Sequence, residues 1–295
     1  MVTRSGDRQY ELVPGWGKVP AGWEWGQVGG VAVDSLDRVY AFTRTRHPLM
    51  IFDRSGAFID SWGNEIFEDA HGICIAADDS MYFVDRSPQL VLKFSREGRH
   101  RISLGQRGVH SDTGYTEETP KVGHAGGPFH HPTDVSVASS GEIYVSDGYR
   151  NCRVHKYAAD GTPLLAWGEP GDGPGQFNLP HSVWEHKGRV YVADRANNRI
   201  QVFTMDGVHL ETWPGFLHPT KIFVGNDDVM YVAELDARVS VLDLQGNVLA
   251  RWGSERSHVP GEFWGPHGIW ADSHGDIYVS EVLEGQRVQK FTRTK

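Results

Sequence analysis

Cysteine is nearly absent: Cys74 and Cys152 are the only two in 295 residues, too few for a disulfide framework and without the surroundings of a thiolate metal site. Positive charge is also in short supply. With 29 Lys and Arg against 38 Asp and Glu, the net charge is -9, which argues against nucleic acid as a partner because phosphate binding needs a basic face. No apolar run approaches the roughly 18 residues of a membrane-spanning helix, so no membrane partner is expected. No apolar stretch follows Met1, Val2, Thr3 and Arg4 either, so the expectation is a chain without a secretory signal and a cytoplasmic location. A 3.6-residue apolar period is missing between the strand-like runs, which excludes a parallel α/β sheet. What is plentiful is turn chemistry and aromatic bulk. The chain has 35 glycines, 15 prolines and 10 tryptophans, a pattern of many short strands joined by tight turns.

One unit recurs six times. It reads VYAFT from Val39, MYFVD from Met81, IYVSD from Ile143, VYVAD from Val190, MYVAE from Met230 and IYVSE from Ile277. The tyrosines Tyr40, Tyr82, Tyr144, Tyr191, Tyr231 and Tyr278 are spaced by 42, 62, 47, 40 and 47 residues. An apolar run precedes each unit, a second follows it, and a further run ends in Trp-Gly, as at Trp62-Gly63, Trp167-Gly168 and Trp252-Gly253. Four short strands per 40–50 residues define a propeller blade. The expected fold is all-β: a single six-bladed β-propeller over residues 1–295, with blades at about 28–63, 69–105, 130–168, 178–214, 217–253 and 264–295. The sixth blade lacks its last strand, and YELVPGWG at Tyr10–Gly17 supplies it, closing the ring from the N-terminus.

The repeat also aligns positions of chemical interest. Residues entering the first strand of each blade are Gly29, His71, Thr133, His181, Thr220 and His267, so histidine stands in alternate blades. A lone histidine there is a turn residue. Three at near three-fold symmetry around one axis can converge on one ion, and three imidazoles with an open fourth position is the arrangement of catalytic zinc. Iron, cobalt, nickel and copper suit the same ligands.

Four residues after each tyrosine stand Arg44, Arg86, Gly148, Arg195, Leu235 and Val282, and Tyr149 follows the glycine. Three arginines on the face of a candidate metal, in an acidic protein, point to a small or peptidic substrate bearing a carboxylate or phosphate, which guanidinium grips bidentately. The acids one residue earlier, Asp85, Asp147, Asp194, Glu234 and Glu281, read as turn caps or braces.

The spacing of 62 marks an insertion at about 106–129 that carries His110, Tyr115 and His124. A loop of that length is commonly functional or disordered. His130, His131, His218 and His258 lie near the starts of first strands and read as supporting groups. The glycine-rich GEPGDGPGQF from Gly168 lacks the Lys-Ser/Thr of a phosphate loop and reads as a connector. Oligomeric state stays open.

These segments resemble the six-bladed NHL-repeat propellers, and among them the lyase domain of the peptidylglycine α-amidating enzymes. IYVSDGYRNCRV, LPHSV and YVADRANNRIQVF carry the likeness most specifically. The resemblance implies a zinc lyase that cleaves peptidyl-α-hydroxyglycine to a peptide amide and glyoxylate. Carried over by position, it implies His71, His181 and His267 as zinc ligands, Tyr149 as the catalytic tyrosine, and Arg195 and Arg44 as the catalytic arginines. Arg86 is an additional cation for substrate binding. Gly268 stands where the family has an acid that helps hold a structural calcium, which puts calcium in doubt. Gly265 replaces a methionine near the metal, and Arg150 stands beside Tyr149 where secreted members have a cysteine. Two other readings stay open: a metal-dependent hydrolase or lactonase on the same site, and a non-catalytic NHL binding scaffold.

Overall fold

A computed structural model of the chain describes the backbone at 2–5 and 8–294 and the side chains from residue 8 onward. The chain is a six-bladed β-propeller, all-β but for a single 3-10 turn at Arg195–Asn197 among the described residues. It divides into two compact units. One joins Met1–Ala70 to Thr220–Lys295, and the other is His71–Pro219.

Each blade is an antiparallel sheet in chain order. In blade 1 the strands are Val28–Val33, Val39–Thr43, Leu49–Phe52 and Phe58–Trp62. The first three are buried along their whole length, and the fourth carries exposed residues such as Ile59. The gradient explains the composition: an inner strand buried on both faces reads as a continuous apolar run, and the outer edge is polar. The six repeat tyrosines are all buried, and Tyr144, Tyr191, Tyr231 and Tyr278 are among the largest fully buried side chains. They set the register that the sequence displays.

The first strands of four blades carry a β-bulge at their second residue. The pairing skips from Val28 to Gly30 in blade 1, from Pro132 to Asp134 in blade 3, from Pro180 to Ser182 in blade 4 and from Pro266 to Gly268 in blade 6. The skipped residues are Gly29, Thr133, His181 and His267. A bulge takes a residue out of the ladder and re-aims its side chain, so the residues of this column leave the regular alternation of the strand.

Blade 6 closes from the N-terminus, as the repeat pattern predicts. The strand Arg8–Val13 pairs antiparallel with Val288–Arg293, and Val2–Ser5 adds a fifth strand outside it that no repeat announces. Tyr10 is the anchor. It is fully buried, stacks on Trp252 at 5.6 Å and places its hydroxyl 3.4 Å from that of Tyr231. Removing a buried aromatic ring costs about 3–5 kcal/mol. Tyr10→Ala is therefore expected to lower the unfolding free energy from urea titration by that amount. A value within about 1 kcal/mol of the wild type would show that the closing strand is not a structural anchor.

Candidate metal and substrate site

The unit His71–Pro219 brings several of the candidate side chains together. His71 is the second residue of the strand Ala70–Ile75, and His181 the second residue of Pro180–His186. Their rings lie 5.0 Å apart, centroid to centroid. Between them stands the phenol of Tyr149, whose Oη is 3.1 Å from Nε2 of His71 and 3.1 Å from Nε2 of His181. Nη1 of Arg195 donates to the same oxygen at 3.4 Å, and the Arg86 guanidinium lies over the Tyr149 ring at 4.9 Å. Three of the sequence-identified site residues in this unit, His71, His181 and Arg195, thus meet at the phenol oxygen of a fourth, Tyr149, and a fifth, Arg86, covers its ring.

Gly148 explains how the tyrosine gets there. A Cβ at this position would lie 2.2 Å from the carbonyl oxygen of Pro180, so only glycine lets the turn after Ile143–Asp147 press against the start of the His181 strand. The place that carries arginine in blades 1, 2 and 4 is here given up for backbone contact, and the functional group moves one residue along.

The tautomer of the candidate histidines follows from their second nitrogen. Nδ1 of His71 is 2.6 Å from the Thr133 carbonyl oxygen, and in the other unit Nδ1 of His267 is 2.6 Å from the Gly29 carbonyl oxygen. A carbonyl only accepts, so the proton of each neutral ring sits on Nδ1 and Nε2 presents a lone pair, the form that binds a metal. His71 and His181 are buried in one unit and His267 is buried in the other, and imidazole nitrogens of this kind can hold a metal ion. This donor set fits a divalent transition metal. His130, His131, His218 and His258 are not in that group. His130 stacks on His110 at 4.4 Å beneath the insertion, and His258 stacks on Trp264 at 4.4 Å.

Arg44 lies in the unit with His267. Its Nε donates to the Ala70 carbonyl at 3.1 Å and its Nη1 to Gln27 Oε1 at 2.9 Å, with Asp69 at 3.8 Å. Gln27 is a partner that no motif revealed.

The recurring acids are braces. Asp147 accepts from the His130 backbone at 2.9 Å and from Asn151 at 2.8 Å. Asp194 accepts from the Asn178 backbone at 2.7 Å and from Arg199 at 2.6 Å, and Glu281 from the Trp264 backbone at 2.6 Å and from Arg287 at 2.6 Å. Each buried carboxylate ties the loop entering the first strand to the start of the third. The connector from Gly168 belongs to the same framework, since Arg199 and Gln201 donate to the Gln176 carbonyl.

The geometry defines a class: an NHL-type propeller with a histidine-lined, arginine-flanked site. The NHL repeat family matches residues 129–157 and 177–203. Human NHL repeat-containing protein 3 is 34% identical over 79% of this chain and 69% of its own length, and the chain belongs to this NHL-repeat family. It is also similar to the peptidylglycine alpha-amidating monooxygenase of Rattus norvegicus, at 28% identity over 92% of this chain. The probable peptidyl-alpha-hydroxyglycine alpha-amidating lyase of Caenorhabditis elegans is 29% identical over 61% of this chain and 56% of its own length. The chain spans about a third (31%) of the rat protein.

Burial, and next the neighbouring His110, pushes the pKa of His130 down to about 4. Asp147 pulls the other way, Arg150 adds to the depression, and Asp112 opposes it. The unfolded chain takes up this proton near pH 6.5, while the folded chain resists until about pH 4. Stability from this group is therefore complete above about pH 6.5 and falls as the pH drops towards about 4. His130→Gln is expected to flatten that slope in urea titrations at pH 7 and pH 5; an unchanged slope would remove His130 as its source.

Proposed function

We propose that the protein is a zinc-dependent carbon–nitrogen lyase that cleaves an α-hydroxyglycine-type carbinolamide to an amide and glyoxylate. The observation that carries this reading is the Tyr149 phenol oxygen held 3.1 Å from two imidazole nitrogens with an arginine on it. A hydroxyl so placed suits proton transfer at a ligand oxygen far better than it suits a passive binding face. Similarity to an amidating lyase supports the same choice.

His71, His181 and His267 would hold the zinc. Bound there, zinc supplies Lewis acidity to an oxygen of the substrate. Tyr149 is the general base that takes the proton of the substrate hydroxyl. The oxygen's electron pair then forms the carbonyl of glyoxylate, and the C–N bond breaks with its electrons going to nitrogen. Tyr149 returns the proton to that nitrogen, so the amide leaves neutral. Arg195 stands against negative charge on the phenol oxygen, and Arg195, Arg44 and Arg86 receive the carboxylate that becomes glyoxylate. The substrate is accordingly a small molecule or peptide ending in that carboxylate.

Zinc-loaded protein is expected to release glyoxylate from α-hydroxyhippurate, and a chelator should abolish the release. Tyr149→Phe should retain its zinc yet turn over roughly 100-fold more slowly or worse. No glyoxylate from protein shown to hold one zinc would overturn the lyase. Oxygen-18 from water appearing in a product carboxylate would instead establish a hydrolase. Separately, His71→Ala, His181→Ala and His267→Ala should each lower the zinc bound per chain, measured by elemental analysis after dialysis; full occupancy in all three would refute the ligand set.

A further inference from the structure

The insertion between blades 2 and 3 holds the two residues that follow Tyr149, Arg150 with its side chains and Asn151 with its backbone. Arg150 is engaged at every group it has. Its amide donates to the His130 carbonyl at 3.2 Å, and its carbonyl accepts the Thr113 hydroxyl at 2.7 Å. Its guanidinium lies over the Tyr115 ring at 4.8 Å and pairs with Glu117. Asn151, fully buried, donates to the Gly126 carbonyl at 2.9 Å and accepts from the Gly126 amide at 3.2 Å. The insertion is itself tied down at that point. The Thr113 carbonyl accepts from the Gly123 amide at 2.8 Å, and the Thr113 hydroxyl is 3.2 Å from Nδ1 of His130.

The turn carrying Tyr149 is thus gripped from both sides. Gly148 meets the Pro180 carbonyl on one side, and Thr113, Tyr115, Glu117 and Gly126 hold residues 150 and 151 on the other. Between these two holds, the Tyr149 side chain faces the histidines. A side chain that must keep its oxygen at one distance from two nitrogens on different strands tolerates little backbone play, since displacements of the order of 1 Å can cost about 100-fold in rate.

We propose that Arg150 is a positioning residue for Tyr149, and that the insertion is the frame which holds Arg150 in that role. The grip directs the guanidinium to Tyr115 and Glu117, leaving Arg86 and Arg195 as the cations at the phenol. The kinetic part of this proposal rests on the lyase reading; the structural part does not.

The test uses the full chain labelled at the tyrosine ring carbon that bears oxygen, with the Tyr149 signal assigned through Tyr149→Phe. Arg150→Ala and Thr113→Val should each move the Tyr149 resonance, and Arg150→Lys should restore it in part because it keeps a cation for Glu117. Thr113→Val removes the threonine hydroxyl and keeps its shape, so it remains informative if Arg150→Ala fails to fold. With glyoxylate release as the readout, Arg150→Ala should lower kcat by about 10-fold, leave KM within about two-fold, and add nothing further in a Tyr149→Phe background. A Tyr149 resonance unmoved in folded Arg150→Ala and Thr113→Val would overturn the proposal. If the wild type releases no glyoxylate, the lyase reading fails while the resonance still decides the positioning.

Discussion

The site depends on a hydrogen bond between neighbouring first strands. In blade 3 the bulge takes Thr133 out of the strand ladder, and its carbonyl oxygen accepts Nδ1–H of His71 at 2.6 Å. In blade 6 and blade 1 the same bond runs from His267 to Gly29, itself a bulge residue. One irregularity therefore performs two tasks. It aims a side chain out of the ladder, and it supplies an acceptor that fixes the neighbouring imidazole as the Nδ1–H tautomer.

The same column shows why histidine can be both structural and functional. Thr133 and Thr220 occupy equivalent places, and their hydroxyls donate to the Pro180 carbonyl at 2.9 Å and the Pro266 carbonyl at 3.0 Å. Threonine and histidine thus provide the same inter-strand donor. Threonine's hydroxyl is its sole polar group and is used up in doing so. Histidine has a second nitrogen, and once Nδ1 is engaged that nitrogen is a lone pair pointing away from the strand. The view of each histidine as a packing residue and the view of it as a ligand are not rivals; the first prepares the second.

This division also marks what could be read from the amino acids. The blades and both columns recur at nearly fixed offsets from a buried tyrosine, and the closing strand at Tyr10 completes the pattern, so periodicity exposes them. The bulges leave no mark in composition. Gly148 shows only as a missing cation, and its reason, the Pro180 carbonyl at 2.2 Å from a would-be Cβ, lies 32 residues away in the chain. The grip of Thr113, Tyr115 and Glu117 on Arg150 stayed hidden because an insertion has no repeat to be compared with. Gln27, which holds Arg44, stands beside the first column and not in it, so the repeat did not single it out.

The His-Gly pairs at His71-Gly72 and His267-Gly268 are a consequence of the same bond. A Cβ on Gly72 would lie 2.8 Å from the Thr133 carbonyl oxygen, the acceptor of His71. On Gly268 it would lie 2.9 Å from the Val31 amide nitrogen, next to the strand whose Gly29 holds His267. Bonding the imidazole that tightly draws the two strands closer than any side chain allows at the next residue. Blade 4 escapes this: Ser182 follows His181 and has room to donate to Asp134 at 2.6 Å. An acid at 268 would have to push its neighbour away and lengthen the bond that orients His267. In this chain the short bond at His267 and an acidic side chain at 268 exclude each other, and the glycine is what lets the bond stand.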